Sequence, residues 1–189
     1  MKRITWLILI LVIVSAMLIV VNTGITTSYF TDGEQSTDDT LNIWNGILLS
    51  DDFEVTPWDQ WDDNFTTDWQ PGAGYGGSTY SAEHASGDTY LTSDALNASG
   101  AGTITVSFWF KIKLLNKGPL YVGIYDGSAW DATWDDLVSY AGGVKNTWLP
   151  FSRTITNSQY FIDGFRIRFD GSTLTTNAFI DDVFIQKNQ

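Results

Sequence analysis

Carboxylates and aromatic rings are the residues of this chain with chemistry to offer, and both recur at telling spacings. Asp52 and Glu54 open the compact part of the sequence in Ser50-Asp51-Asp52-Phe53-Glu54. Asp181 and Asp182 lie near its end in Phe179-Ile180-Asp181-Asp182-Val183-Phe184-Ile185. Neighbouring side chains of a strand point to opposite faces, so one of the two late aspartates must point inward. A buried carboxylate without compensation is costly. A Ca²⁺ ion relieves that cost, because it takes about six to eight oxygen ligands, carboxylates and backbone carbonyls among them. The expected metal set is Glu54 and Asp181, with Asp52 and main-chain oxygens completing it. In the competing reading both late aspartates sit at a solvent-facing strand edge or pair with Arg166 or Arg168.

The aromatic residues suggest a second kind of site. Trp109 falls on the polar side of one strongly alternating segment, Arg166 and Arg168 on the polar side of another, and Tyr121 and Tyr125 on that of a third. If these faces belong to one sheet, they form a platform of rings and cations on which a sugar can stack and be hydrogen-bonded. Trp130 and Trp134, in Trp130-Asp131-Ala132-Thr133-Trp134-Asp135-Asp136, form a second candidate at an expected turn, and loops often carry binding residues. With nine Trp, eight Tyr and eleven Phe, many rings must also fill a core.

Catalysis has less support. There is no cysteine, and the single histidine, His84 in Glu83-His84-Ala85-Ser86-Gly87, reads as a surface or turn residue. No Gly-x-Ser-x-Gly nucleophile elbow, phosphate-binding glycine loop, zinc spacing or complete EF-hand loop is present. Paired carboxylates can hydrolyse a glycosidic bond, but with 22 acidic residues accidental pairs carry little specificity. A glycoside hydrolase is therefore the weakest of the readings.

The elements that must position these residues are strands. In Thr103 to Leu114, Ile104, Val106, Phe108, Phe110, Ile112 and Leu114 share one parity while Thr103, Thr105, Ser107, Trp109, Lys111 and Lys113 share the other. Only a strand divides residues with period two. Leu120, Val122 and Ile124 repeat the pattern, as do Phe165, Ile167 and Phe169, and a further strand is expected from Ala178 to Gln186. Gly, Asp and Ser punctuate the gaps, as in Asp126-Gly127-Ser128 and Asp170-Gly171-Ser172. The fold class that follows is all-β, a jelly-roll-like β-sandwich over residues 49–189.

The start of the chain speaks to compartment. Lys2 and Arg3 precede an apolar run from Ile4 to Val21, the pattern of an export signal. As a helix the run is about 27 Å long, close to the roughly 30 Å of a bilayer core, so residues 1–23 read as a signal peptide or a membrane anchor. Residues 24–48 form a polar arm or linker that contains a possible first strand. Beyond Gly24 there are eight Lys and Arg against 22 Asp and Glu, and all eight bases lie at Lys111 or later. This acidity disfavours nucleic acid and attracts cations. It also serves solubility in a secreted or envelope-surface protein.

Asp52-Phe53-Glu54, His84-Ala85-Ser86-Gly87, Thr105 to Phe110 and Phe179 to Val183 together resemble the MAM and carbohydrate-binding jelly-roll modules. That resemblance implies a structural cation held by Glu54 and Asp181. The absence of cysteine separates the chain from animal MAM domains and favours bacterial or archaeal relatives. Gly24, Phe30-Thr31-Asp32 and Thr40 to Leu48 are similar to exported subunits of the TasA and camelysin type. This second likeness implies a fibre, pilus or matrix in which identical subunits exchange an N-terminal strand. The leading expectation is a non-catalytic, calcium-stabilised module that binds a polysaccharide or cell-surface glycan, and the fibre subunit is the alternative.

Overall fold

The computed structural model describes residues 46–55, 58–62, 69–85 and 90–189, all within a compact unit that runs from Ile43 to Gln189. The apolar run at residues 4–21 lies outside the described residues. So does most of the 24–48 arm, including Gly24, 30–32 and 40–45, on which the TasA-type resemblance rests. No helix among the described residues is long and apolar enough to cross a membrane.

Among the described residues eleven strands make two antiparallel sheets. In chain order they are β1 (Ile47–Asp51), β2 (Trp69–Ala73), β3 (Tyr80–His84), β4 (Tyr90–Thr92), β5 (Leu96–Asn97), β6 (Thr103–Ile112), β7 (Tyr121–Tyr125), β8 (Trp130–Asp136), β9 (Leu149–Ile155), β10 (Asp163–Asp170) and β11 (Ala178–Asn188). A single-turn helix, α1 (Leu137–Tyr140), follows β8. The larger sheet has the order β2-β3-β11-β6-β9, with β1 also paired to β11. The smaller has the order β4-β10-β7-β8, with β5 also paired to β10.

The alternation expected over Thr103–Leu114 is the reason β6 runs through the centre of the larger sheet. Ile104, Val106, Phe108, Phe110 and Ile112 are all buried. Opposite them, Phe165, Ile167 and Phe169 of β10 and Val122 and Ile124 of β7 present the inner face of the smaller sheet. Phe108 joins the two layers. It stacks on Phe151 of β9 at 4.5 Å and meets Phe169 edge-on at 5.0 Å. Burying a ring of this size contributes about 1.5 to 3 kcal/mol.

Strand β11 serves two neighbours along one edge. Its first residues, Ala178 to Ile180, pair with β3, and Val183 to Gln186 pair with β1. The change of partner coincides with an irregularity against β6 between Asp181 and Phe184, where Asp182 takes a positive φ of 49°. Asp182 is exposed, whereas Asp181, opposite Trp109 in register, is fully buried beneath the turn between β2 and β3, on the outer side of the sheet and not in the core between the sheets.

His84 corrects the sequence reading. It ends β3 inside the core, fully buried, with its ring 5.3 Å from that of Trp69 and its Nδ1 3.4 Å from the Thr176 carbonyl oxygen. Gly171 makes the space: a Cβ at that position would lie 2.6 Å from the imidazole. The turn Asp170-Gly171-Ser172 thus covers His84 as well as reversing the chain.

Candidate functional site

The outer face of the smaller sheet brings together most of the expected binding residues. On β7, Val122 and Ile124 point inward, so Tyr121, Gly123 and Tyr125 face outward. On β10, Arg166 and Arg168 face outward between buried neighbours. Register places Arg168 between Thr92 on one side and Gly123 on the other, and Arg166 beside Tyr125. Tyr125 in turn pairs with Trp130 on β8.

Gly123 decides what this face looks like. With no side chain there, Arg168 extends across β7, and a Cβ at position 123 would stand 3.2 Å from both its Cγ and its Nε. The Arg168 Cζ ends 4.4 Å from the ring centroid of Tyr90 and 4.4 Å from that of Trp130. Each cation–π contact contributes about 0.5 to 2 kcal/mol, depending on how dry it is. The Nε of Arg168 is buried and has no hydrogen-bond partner among the described residues. Among the described residues the ion pairs are Arg153 with Asp135 and Arg166 with Asp62, so the Arg168 guanidinium carries none. Tyr90 is 47% exposed, which leaves part of its ring open to solvent.

Next to this stack lies a cleft of about 500 Å³ lined by Tyr125, Trp130, Asp163 and Arg166, among others. The rings of Tyr125 and Trp130 are 5.3 Å apart and tilted by 41°. Arg166 Nη1 donates to Asp62 Oδ2 at 3.2 Å, an exposed pair that fixes direction more than it adds stability.

Two of the expected binding residues, one from the platform and one from the second candidate, are elsewhere. Trp109 lies on β6, on the outer face of the opposite sheet, because alternation tells which residues of one strand share a face and not which strands share a sheet. It is stacked beneath Tyr75 at 3.9 Å and 18°. Trp148 meets Tyr75 edge-on, and Lys111 Nζ lies 4.1 Å from the Phe179 ring and 4.6 Å from Trp148. Trp134 is the second departure. Its segment is strand β8 rather than a turn, and β8 departs from regular pairing with β7 between Asp131 and Asp135. In that stretch Trp134 packs edge-on against Phe151 and the core.

Glu54 and Asp181 converge on one hairpin turn, between β2 and β3. Glu54 Oε1 accepts from the Tyr80 amide at 2.7 Å. Asp181 Oδ2 accepts from the Tyr75 amide at 2.7 Å and from Ser78 Oγ at 2.8 Å, while its Oδ1 accepts from the Asp182 amide at 2.8 Å. Burial pushes the Asp181 carboxyl above its ordinary range, against the pull of these hydrogen bonds. Asp52, the third carboxylate expected there, instead lines an acidic cleft with Asp51, Asp59 and Asp182. Burial raises Asp51 and Asp182 as well, and Asp52 adds to the rise at Asp182. Among the described residues no three side chains of His, Asp or Glu gather as a metal-holding group.

Sequence reasoning missed Tyr90 and Gly123. The signal for Gly123 was present, since glycine inside Tyr121-Val122-Gly123-Ile124-Tyr125 marks a close approach to a strand. Tyr90 sits on a strand too short for alternation to reveal.

No protein-family profile and no curated protein matches this chain. Solved structures do. The chain is similar to the CBM22-1 xylan-binding domain from Paenibacillus barcinonensis, with 15% identity, a TM-score of 0.52 and coverage of 75% of this chain and 95% of that one. It is similar to the CBM22-1-CBM22-2 tandem domain of the same organism at 18% identity and a TM-score of 0.53, spanning half of that chain. It also matches the CBM22-1-GH10 modules of a Clostridium thermocellum endo-1,4-beta-D-xylanase, at 15% identity and a TM-score of 0.50, spanning 29% of that chain. These likenesses establish that the chain shares the β-sandwich fold of carbohydrate-binding modules.

Proposed function

We infer that this chain is a non-catalytic glycan-binding module, exported to the outside of the cell or held on its envelope surface. The observation that carries the reading is the stack of Tyr90, Arg168 and Trp130 beside an open cleft on the smaller sheet. Rings standing on a rigid sheet offer apolar faces to a sugar, and the arginines and Tyr125 offer hydrogen-bond donors around them. One fold neighbour is a xylan-binding domain and another is a pair of xylanase modules complexed with xylohexaose, which supports this reading. Retention of the full chain in gels containing xylan or other plant and bacterial polysaccharides tests it. Trp130→Ala is expected to abolish retention, and Trp109→Ala to leave it intact while lowering stability by about 1 to 2 kcal/mol. Equal retention by wild type and Trp130→Ala removes the smaller sheet as the site.

Calcium belongs to the same reading. Asp181 is buried and three of its roughly four acceptor positions are already used, which leaves one on Oδ1. Glu54, which follows β1 and binds the Tyr80 amide through Oε1, offers its second oxygen. These two hard oxygen ligands suit Ca²⁺, which would neutralise the buried charge and tie β1 and β11 to the β2–β3 turn. A rise in Tm on adding Ca²⁺, reversed by chelator, is the expected result, and no shift rejects the ion.

A further inference from the structure

The geometry points to an acidic substituent on an otherwise neutral glycan as the group that Arg168 receives, an inference that rests on the glycan-binding reading above. Arg168 is held in place without an ion pair among the described residues. Tyr90 and Trp130 clamp its guanidinium from two sides at 4.4 Å, and Gly123 supplies the floor. Among the described residues, every other arrangement of cation and rings has an acid at hand. Arg153, against Tyr140, donates to Asp135 at 2.8 Å, and Lys111, against Trp148 and Phe179, feels Glu83. Arg166, two residues from Arg168 on the same face, is paired with Asp62. A planar guanidinium with uncommitted N–H donors matches a carboxylate in shape and charge, and such pairs are often bidentate.

Among the described residues, one such cation is available on this face, and its surroundings are acidic. Asp163 lines the adjacent cleft and Asp62 occupies Arg166, while the chain as a whole has a net charge of −12. At physiological salt the screening length is about 8 Å, so the local guanidinium governs a single nearby carboxylate. A polymer charged at every residue would meet the aspartates as well. The arrangement therefore selects a chain of neutral sugars bearing isolated uronate groups: a neutral ring stacks on Trp130 or Tyr90, and the uronate carboxylate accepts from Arg168.

Titration calorimetry of the full chain with three polymers tests this. The first is a xylan carrying glucuronate side groups, the second the same xylan after chemical reduction of its carboxyl groups, and the third polygalacturonate. The first is expected to bind roughly tenfold more tightly than the second, a difference that added salt erodes. Arg168→Gln should abolish the preference, and Arg168→Lys, which keeps the charge and loses the planar fork, should retain a fraction of it. Polygalacturonate is expected to bind no better than the first xylan. Equal binding of the first two polymers by wild type overturns the inference without any variant, and leaves the glycan-binding reading standing. A preference that survives in Arg168→Gln also overturns it. If neither xylan binds, the underlying reading falls and the inference falls with it.

Discussion

Both outer faces of the sandwich place a cation between two aromatic rings, yet they build it differently. On the smaller sheet Arg168 lies between Tyr90 and Trp130 with no ion pair among the described residues, and the flanking Tyr90 is half exposed. On the larger sheet Lys111 lies against Phe179 and Trp148, near Glu83, whose carboxylate accepts from Asn177 at 2.6 Å. Nearby, Tyr75 covers Trp109, and the turn that carries Tyr75 is tied down by Asp181. One face is closed on itself and contributes stability. The other keeps its donors for something else. The same ingredients thus yield structure or recognition according to whether the surrounding loops satisfy them.

The contrast breaks most severely if Asp181 is altered, because its carboxylate anchors the cover of the larger face. Asp181→Asn exchanges an acceptor oxygen for an amine that faces N–H or O–H donors, at a cost of about 2 kcal/mol. Its pH signature is specific. The folded carboxyl holds its proton above the ordinary value of 3.8, so acid favours the folded state. This contribution is fully present below 3.8 and is lost as pH rises through the raised folded value. Thermal melts across that window should show a shallower pH dependence for Asp181→Asn than for wild type. Glycan retention should be unchanged, and a loss of retention would mean that the two faces are not independent.

A smaller effect, of opposite kind, is expected from Gly123→Leu. A side chain at position 123 enters the space of Arg168 Cγ and Nε, already 3.2 Å from where a Cβ would stand. Arg168 must leave the clamp, and glycan affinity should fall roughly tenfold, about 1.4 kcal/mol. Global stability should fall by about 1 to 2 kcal/mol, the worth of the two part-exposed cation–π contacts that are lost. Calorimetry and a melt on the same sample read both numbers. A large drop in Tm with intact affinity would assign Arg168 to stability.

How far the sequence foretold these faces depends on the range of the interaction involved. Strands β6, β10 and β11 were legible because a period-two pattern over eight or more residues is local. The outward positions of Arg166, Arg168, Tyr121 and Tyr125 followed from the same pattern. The assignment of strands to sheets did not, so Trp109 was grouped with residues from the opposite layer. Pairing of β10 with β7 joins segments about forty residues apart, and nothing in either segment names its partner. His84 shows the same limit. Its neighbours are polar and small, which suggests a turn, whereas its burial is decided by Gly171 on a distant loop. That one of the two late aspartates would be buried was legible, but the irregularity that breaks the alternation there and the hairpin that covers Asp181 on the outer face were not.

The smallest expected effect is at Lys111, and it asks whether the closed face needs its cation at all. Burial lowers the affinity of the Lys111 ammonium for its proton, and Glu83 opposes that shift. Between the lowered folded value and the ordinary 10.5, the unfolded chain therefore binds more protons, and stability rises with pH. Lys111→Met keeps an unbranched stem against Trp148 and Phe179 and removes the charge. Glu83 retains its hydrogen bond from Asn177. Stability at neutral pH should change by about 0.5 kcal/mol or less, and the rise in the alkaline range should disappear. Glycan affinity should not move. If Lys111→Met weakens binding as much as Arg168→Gln does, both faces contact the ligand, and the division between a structural face and a recognition face has to be given up.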